Sequence, residues 1–450
     1  MALDLQVDSI NIFFQIHIPF TILAMNIVMF TNTYFPHVGG VARSVKAFSD
    51  EYHRLGHRVL VIAPQFDGAK KNEKHTIRVP AIQNFNGSDF SVRLPIPGYV
   101  TEDLDDFKPD LIHSHHPFLL GDSALRAAAR KNLPLVFTHH TMYERYTHYV
   151  PGESKTLRRY VVDLSTGYAN LCNRVFAPSE SIATVLRERG VETPIKVVPT
   201  GVDPSNFTQG DSARIREEFR IPASAYVVGH VGRLAPEKNL EFLARAVTKF
   251  MRRSKKVHFL VIGSGPSEGE IQHIFIEGHC SSRLHFAGTR QGQDLIDAYH
   301  AMDVFAFASQ TETQGIVLTE AMAAGLPVVA LNAPGAREVV CDGQNGRLVK
   351  QQDVGAFADA LQMISHANEN EGKSLSKTAR DTAESFSMSC CAQKALEIYD
   401  DLIASHPIEK PEPIMIRGSN WESALRVLEA EWNLWSVRAH AAGIAITSNI

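Results

Sequence analysis

The sequence predicts an α/β protein made of two doubly wound domains. Short apolar runs that end in polar residues alternate with amphipathic segments of helical period, the rhythm of a mostly parallel sheet covered by helices. That rhythm restarts after PTGVD, Pro199 to Asp203. A chain of 450 residues also exceeds what one ordinary core holds.

In the first half, NIVMF is a buried strand and TNTYFPHVGG a loop. VARSVKAFSDEYHRLG is an amphipathic helix stopped by Gly56, and HRVLVIAP is the next strand. DLIHSH, LPLVFTHH, NRVFAPS and IKVVPTG follow as further strands. In the second half AYVVGHVGR, VHFLVIGSGP, RLHFAG, DVFAFAS and LPVVAL are five more. The expected layout is an extension over 1–24, a first domain over 25–205, a second over 206–402, and a C-terminal extension over 403–450. In doubly wound sheets ligands bind beyond the carboxyl ends of the strands, and nearly every polar cluster of the sequence lies at such an end.

A net charge of -4 argues against a general nucleic-acid binder. Residues 25–200 carry 21 Lys and Arg against 17 Asp and Glu, a mild excess that fits either an anionic surface or plain solvation. Five cysteines without metal-ligand spacing read as reduced cytosolic thiols. The apolar stretch SINIFFQIHIPFTILA holds Gln15 and His17 and is shorter than a bilayer span. It is expected to be a loose extension ahead of a folded body that begins at Met25, with a membrane-touching segment as the alternative.

TETQGIVLTEAMAAG puts Glu312 in a strand-to-helix loop and Glu320 about a turn into the helix. The backbone N–H groups of Gln314, Gly315 and Ile316 open that helix, and a helix N-terminus suits a diphosphate. Carboxylates accept from hydroxyls, so Glu312 suits a sugar beyond the phosphates and Glu320 suits a ribose. The pair also fits a loop Glu and an exposed helix Glu at unrelated positions. In GRLAPEKN, Arg233 and Lys238 lie five apart in a loop that opens a helix. Two cations there offset a leaving diphosphate, or are simply solvated. VIGSGP lacks the dinucleotide spacing and reads as a tight turn. Gly39 and Gly40 allow close backbone approach to a ligand, or form a plain turn.

His113, His115, His116, His139 and His140 cluster at two strand ends. One reading is a metal site, but no Asp or Glu stands at ligand spacing with them. The other is a wall where a histidine bonds a substrate hydroxyl, with His113 equally suited to the core.

In order, YFPHVGGVAR, HSHHP, APSES, PTGVD, GRLAPEKN, VIGSGP and TETQGIVLTEAMAAGLPVVA resemble the motif set of the retaining GT-B glycosyltransferases of glycosyltransferase family 4. The resemblance spans about Met25 to Leu402. It implies two facing Rossmann-like domains with the active site in the cleft between them, and transfer of a sugar from a nucleotide donor with its anomeric configuration kept. It places Glu312 on the donor sugar, Glu320 on the ribose, and Arg233 and Lys238 on the diphosphate. His115 is the active-site histidine of the H-x-H-x-P pattern, and Gly39 and Gly40 form the loop that meets the ligands. The donor site is completed by Gln314, Gly315 and Ile316. No metal or other cofactor is implied, and the mechanism implied is front-side attack. THHTMYERYTHYVP and TETQG look like bacterial glucosyltransferases that act on diacylglycerol. This implies UDP-glucose as donor, an acceptor wall of His140, Tyr143 and Glu144, and a peripheral seat on the inner face of the cell membrane. KTLRRY, Lys155 to Tyr160, suits that seat or an ordinary solvated helix. Donor identity is left between UDP-glucose and GDP-mannose, and the acceptor between lipid and a soluble or polymeric molecule. An epimerase and a non-catalytic sugar-nucleotide-binding protein are the rivals outside this class.

The last fifty residues depart from the family pattern. Beyond the Pro-rich link SHPIEKPEP, Trp421, Leu425, Leu428, Trp432 and Trp435 fall at offsets of 4, 3, 4 and 3, one apolar helical stripe. The other face carries Glu422, Glu429 and Glu431 against Arg426 and Arg438. That balance favours packing of the stripe on the protein's own body, or on a second copy, over a membrane.

Overall fold

The computed structural model describes residues 23–36, 39–66, 68–69, 73–82, 92–93, 100–145, 154–406 and 419–447. The expectations for residues 1–22 and for the link beyond His406 lie outside the described residues.

The first sheet holds seven parallel strands: β1 Asn26–Phe30, β2 Arg58–Pro64, β3 Thr76–Val79, β6 Leu111–Ser114, β7 Leu135–Thr138, β8 Arg174–Ala177 and β9 Ile195–Val197. Their order is β3-β2-β1-β6-β7-β8-β9. A small antiparallel pair, β4 Ala81–Ile82 and β5 Val92–Arg93, stands apart. Helices α1 Gly40–Arg54, α2 Thr101–Phe107, α3 Leu120–Lys131, α4 Lys155–Asn170 and α5 Glu180–Glu188 connect them. Strands such as β6 and β7 are buried along their whole length, which is why they read as continuous apolar runs rather than alternating ones.

The second sheet has six parallel strands in the order β12-β11-β10-β13-β14-β15. These are β10 Tyr226–Val231, β11 Val257–Ile262, β12 Leu284–Phe286, β13 Val304–Phe307, β14 Val328–Leu331 and β15 Gly346–Val349. Its helices are α6 Ser212–Glu218, α7 Leu240–Met251, α8 Glu268–Glu277, α9 Gln293–His300, α10 Ile316–Ala323, α11 Val354–Ser365 and α12 Glu369–Ser385. Each sheet has a hydrophobic core on both faces.

In both sheets strand order reverses once. The chain runs outward from β1 through β2 to β3, then restarts at β6 on the other side of β1. It does the same from β10 to β12, then restarts at β13. The crevice at such a reversal is the natural ligand site of an open α/β sheet. One reversal is flanked by the loops at Thr31 and His115, the other by the loops at Gly232 and Glu312.

Two later helices return to the first domain. In α13, Met388–Ser405, residues Cys391, Ala395, Leu396 and Tyr399 join the core formed by Met25, Tyr52 and Phe176. The crossing is tight: Val202 N–H donates to Phe386 O (3.0 Å) and Met388 N–H to Val202 O (2.7 Å). A Cβ on Gly201 would lie 2.3 Å from Met388 Cα, which explains the glycine of PTGVD.

The second is α14, Ser419–Thr447, packed on α3 and α4. Here the expectation that the apolar stripe packs on the protein's own body is overturned. Leu428, Trp432 and Trp435 are 62%, 75% and 68% exposed, while Ala430, Leu434 and Ala441 are buried. The side chains of Trp421 and Leu425 lie outside the described residues. Small residues let the helix approach closely, and Val437 fills the notch at Gly167, where a Cβ would meet it at 2.5 Å. The charges flank this seam: Arg126 pairs with Glu431, Arg438 with Asp122, and Arg426 Nε donates to Ala129 O (3.1 Å). Residues that read as a solvated face are therefore the docking face.

Candidate active site

The histidine wall is built on β6 and β7. His113 ends the buried run of β6, and its ring is held at both nitrogens. Nε2 lies 2.6 Å from Thr138 Oγ1, and Nδ1 lies 2.7 Å from Tyr399 Oη on α13. Of its two readings, core residue and substrate contact, the structure supports the core. His115 stacks on it, ring centroids 4.1 Å apart, and its Nδ1 lies 2.9 Å from His140 Nε2. His115 Nε2 is buried and has no hydrogen-bond partner among the described residues. His116 Nδ1 accepts from Asn32 N–H at 3.1 Å.

Burial holds these rings neutral. It lowers His113 and His116 to about 3 and His139 to about 4, and takes His115 and His140 well below the ordinary histidine range, helped by mutual repulsion. In the neutral His115–His140 pair one ring supplies the proton. If His115 Nδ1 accepts, its Nε2–H is a donor; if it donates, Nε2 is an acceptor. Either way His115 presents one unused, uncharged hydrogen-bonding atom.

The other predicted acceptor residues are less free. The Tyr143 ring packs edge-on against Phe118 and His139, and its buried hydroxyl has no hydrogen-bond partner among the described residues. Glu144 pairs with Arg189 at 2.7 Å. His140 belongs to the wall; Tyr143 and Glu144 sit behind it.

In the second domain Lys238 closes a short 3₁₀ turn, Pro236–Lys238, ahead of α7. Its Nζ lies 2.5 Å from Glu312 Oε1, so these two predicted residues meet across 74 positions. Arg233, exposed, pairs with Glu237 one turn on. Both cations thus carry a carboxylate partner, which the sequence reading did not include. Gly315 caps α10 in the left-handed region, φ 75°. The N–H groups that open this helix, Ile316 among them, have no intrahelical acceptor. Glu320 accepts from Tyr299 Oη at 2.7 Å, and burial raises its pKa above the ordinary carboxylate range. Arg43, on α1 of the first domain, opposes that rise. Gly39 precedes α1 in extended backbone, and a Cβ on Gly40 would meet nothing within 4 Å. Gly40 is therefore not demanded by the protein's own packing. Gly263 and Gly265 are: a Cβ on them would lie 1.9 and 2.3 Å from Gly232 O and Leu234 O, both at positive φ. VIGSGP is therefore a close-packed turn, as its sequence suggests.

The two clusters face each other across a hydrogen-bonded seam. Thr313 Oγ1 donates to His140 O (3.1 Å), and Ser179 Oγ donates to Thr313 O (2.7 Å). The Gln314 amide clasps the Thr200 backbone, accepting from its N–H (2.7 Å) and donating to its carbonyl (2.6 Å). Glu338 accepts from Ser181 N–H (3.0 Å) and from Gly335 N–H (2.8 Å). The loop bearing Glu312 is thereby held against the wall bearing His115. Sequence reasoning missed Thr313, Glu338, Tyr299 and Tyr399, whose partners lie far away in the chain. It also missed Glu237, which the spacing of four from Arg233 would have revealed.

Two facing doubly wound domains, with acidic and basic side chains from two loops of the second domain set against a neutral histidine wall of the first, define a glycosyltransferase of the GT-B type. Residues 38–206 match the family described as Glycosyltransferase Family 4, and residues 211–382 match Glycosyl transferases group 1. The chain belongs to glycosyltransferase family 4. It is 28% identical, over 86% of its length and 88% of the relative's, to the alpha-monoglucosyldiacylglycerol synthase of Streptococcus pneumoniae. It is 27% identical, over 92% of its length and 96% of the relative's, to a GDP-mannose-dependent alpha-mannosyltransferase of Corynebacterium glutamicum. Among solved structures, Anabaena HepE in complex with UDP and glucose superposes with a TM-score of 0.67 at 21% identity, covering 84% of this chain and 100% of that one.

Proposed function

We propose that this glycosyltransferase moves glucose from UDP-glucose to a membrane lipid such as diacylglycerol, with retention of anomeric configuration. The observation that carries the reading is the 3.1 Å bond from Thr313 to His140 O, because it sets the Glu312 loop against the His115 wall. The space between is where a sugar would meet both.

In this reading Glu312 accepts from donor-sugar hydroxyls and Glu320 from the ribose. Glu320 already accepts from the Tyr299 hydroxyl, and a carboxylate has capacity to accept from further hydroxyls. Lys238, resting on Glu312, swings to a phosphate oxygen while keeping contact with the carboxylate, and Arg233 leaves Glu237 to do the same. The opening N–H groups of α10, from Gln314, Gly315 and Ile316, take the remaining phosphate charge. His115 Nε2 holds a sugar oxygen without adding charge to the site. With both cations on the diphosphate, the leaving group departs as the acceptor hydroxyl attacks from the same face. That hydroxyl's proton passes to the leaving phosphate oxygen. Gly39 and Gly40 let the first-domain loop lie close to the ligands, and His140, with Tyr143 and Glu144 behind it, lines the acceptor side. No metal enters this scheme.

The lipid acceptor and the glucose donor are supported by the THHTMYERYTHYVP segment and by the similarity to the alpha-monoglucosyldiacylglycerol synthase. A GDP-mannose-dependent transfer is the second reading, favoured by the similarity to the mannosyltransferase. Incubation with each radiolabelled donor and diacylglycerol in mixed micelles separates them. The expected product is an α-linked glucolipid made from UDP-glucose. Product from GDP-mannose alone moves the enzyme to the mannosyl branch, and a β-linked product contradicts retention.

A further inference from the structure

All three tryptophans of the chain, Trp421, Trp432 and Trp435, belong to α14. Trp432, Trp435, Leu428 and Ala439 form an exposed strip along the helix. The helix beneath is fixed to the first domain by Leu434, by Val437 in the Gly167 notch and by the pairs at Arg126 and Arg438.

This docking changes the charge of the outer face. Glu431 is tied to Arg126, and Arg438 is spent on Asp122. Between residues 426 and 442 the carboxylate left exposed is Glu429. On the neighbouring α4 the first two turns expose Lys155, Arg158 and Arg159. The surface is thus an aromatic strip with one acid, on a domain whose adjoining helix begins basic.

We propose that α14 seats the first domain on a lipid bilayer surface, with Trp432 and Trp435 at the boundary between headgroups and acyl chains. An indole joins a large apolar body to one N–H, a combination favoured at that boundary. A helix with such a face lies in the plane of the interface rather than across it. None of the helices among the described residues is long and apolar enough to span a membrane. A second copy of the chain is the weaker occupant. Two indoles at about 150–250 Å² each and one smaller leucine offer on the order of 400–600 Å², short of the roughly 800 Å² per partner that a stable protein interface buries. A bilayer needs no such matching surface.

The seat is also linked to the site. α14 packs on α4, and α4 packs on the turn Tyr143–Arg145, which follows His140 by three residues. The seat therefore lies on the part of the first domain that carries the acceptor-side turn, a placement whose meaning rests on the lipid-acceptor reading above.

Because every tryptophan lies in α14, intrinsic fluorescence reports this helix alone. Vesicles of phosphatidylcholine with a minority of phosphatidylglycerol are expected to shift the emission to the blue, and brominated acyl chains to quench it. Co-flotation with the vesicles should fall at least ~10-fold in the Trp432→Ala/Trp435→Ala double variant, as expected when two interfacial anchors are lost. Nucleotide-sugar binding by the same variant should match the unaltered protein, since neither side chain touches the cleft. Emission unchanged by vesicles, or flotation unaffected by the double substitution, overturns the proposal. So does a blue shift that grows with protein concentration without lipid, which marks a second copy. Lipid binding through these tryptophans with no glycolipid formed would instead reject the lipid acceptor and leave the seat standing.

Discussion

At the scale of single residues, the site turns on how each charge is matched before any ligand arrives. Glu312 and Lys238 hold each other at 2.5 Å in a half-buried loop, so removing one leaves the other poorly solvated. Glu312→Gln keeps the shape but removes the charge proposed to accept from sugar hydroxyls. It is expected to lower kcat/KM by about 100-fold or more, of the order seen when a charge-stabilising group is lost, while the melting temperature stays within a few degrees. His115→Ala is expected to lower kcat likewise by removing Nε2, with an added drop in melting temperature because the buried Nδ1 contact with His140 goes too. Steady-state kinetics beside thermal melts check both. Glu312 and Glu320 were legible in the sequence because a strand end, a turn and a helix start stand in one continuous stretch. The Lys238–Glu312 contact was not, because 74 residues separate the partners. Nor was the bond from Tyr399 to His113, which joins an element from the end of the chain to one near its start.

At the scale of elements, amphipathic pattern revealed helices but not always the side on which they pack. α14 shows why. Its stripe of Trp and Leu is the obvious apolar face, yet alanines and a leucine flanked by Arg–carboxylate pairs make the closer contact. Close packing of small residues competes with raw hydrophobicity, and only the partner surface decides between them. Truncation after His406 uncovers the α3–α4 face, including the side of Leu434. Burial of one such leucine contributes about 2 kcal/mol, so the truncated protein is expected to melt several degrees lower, as read by calorimetry. Gln314→Ala is expected to raise KM for the donor, because the amide that fixes the helix-opening loop to Thr200 is gone. Two of the four edge strands were the other blind spot. β3 and β15 are short, only partly buried, and interrupted by Arg78 and Arg347, so they leave no apolar run; the edge strands β9 and β12 were read from IKVVPTG and RLHFAG, and the buried central strands were plain.

At the scale of the whole molecule, the repeated strand–helix rhythm gave two sheets, and each reversal of strand order predicts where ligands go. The histidine wall also gives the fold a pH signature. His113, His116 and His139 titrate lower in the folded chain than in the unfolded one. The unfolded state therefore binds more protons below about pH 6.5, and stability falls as pH drops from there toward 3. Each such group contributes up to about 1.4 kcal/mol per pH unit within that window. Denaturant midpoints measured across it should fall steadily toward acid, and a midpoint flat from pH 6.5 to 4 would contradict the burial described for these rings. Chelation is expected to leave transfer activity intact, since in the proposed scheme positive side chains and the start of α10 carry the phosphate charge. The most direct test of the central claim is calorimetric titration of the purified protein with UDP-glucose and with GDP-mannose, beside the Glu312→Gln variant. The account predicts saturable binding of UDP-glucose that weakens at least ~10-fold when the Glu312 charge is removed. Binding of neither nucleotide sugar, or binding indifferent to Glu312, would contradict it.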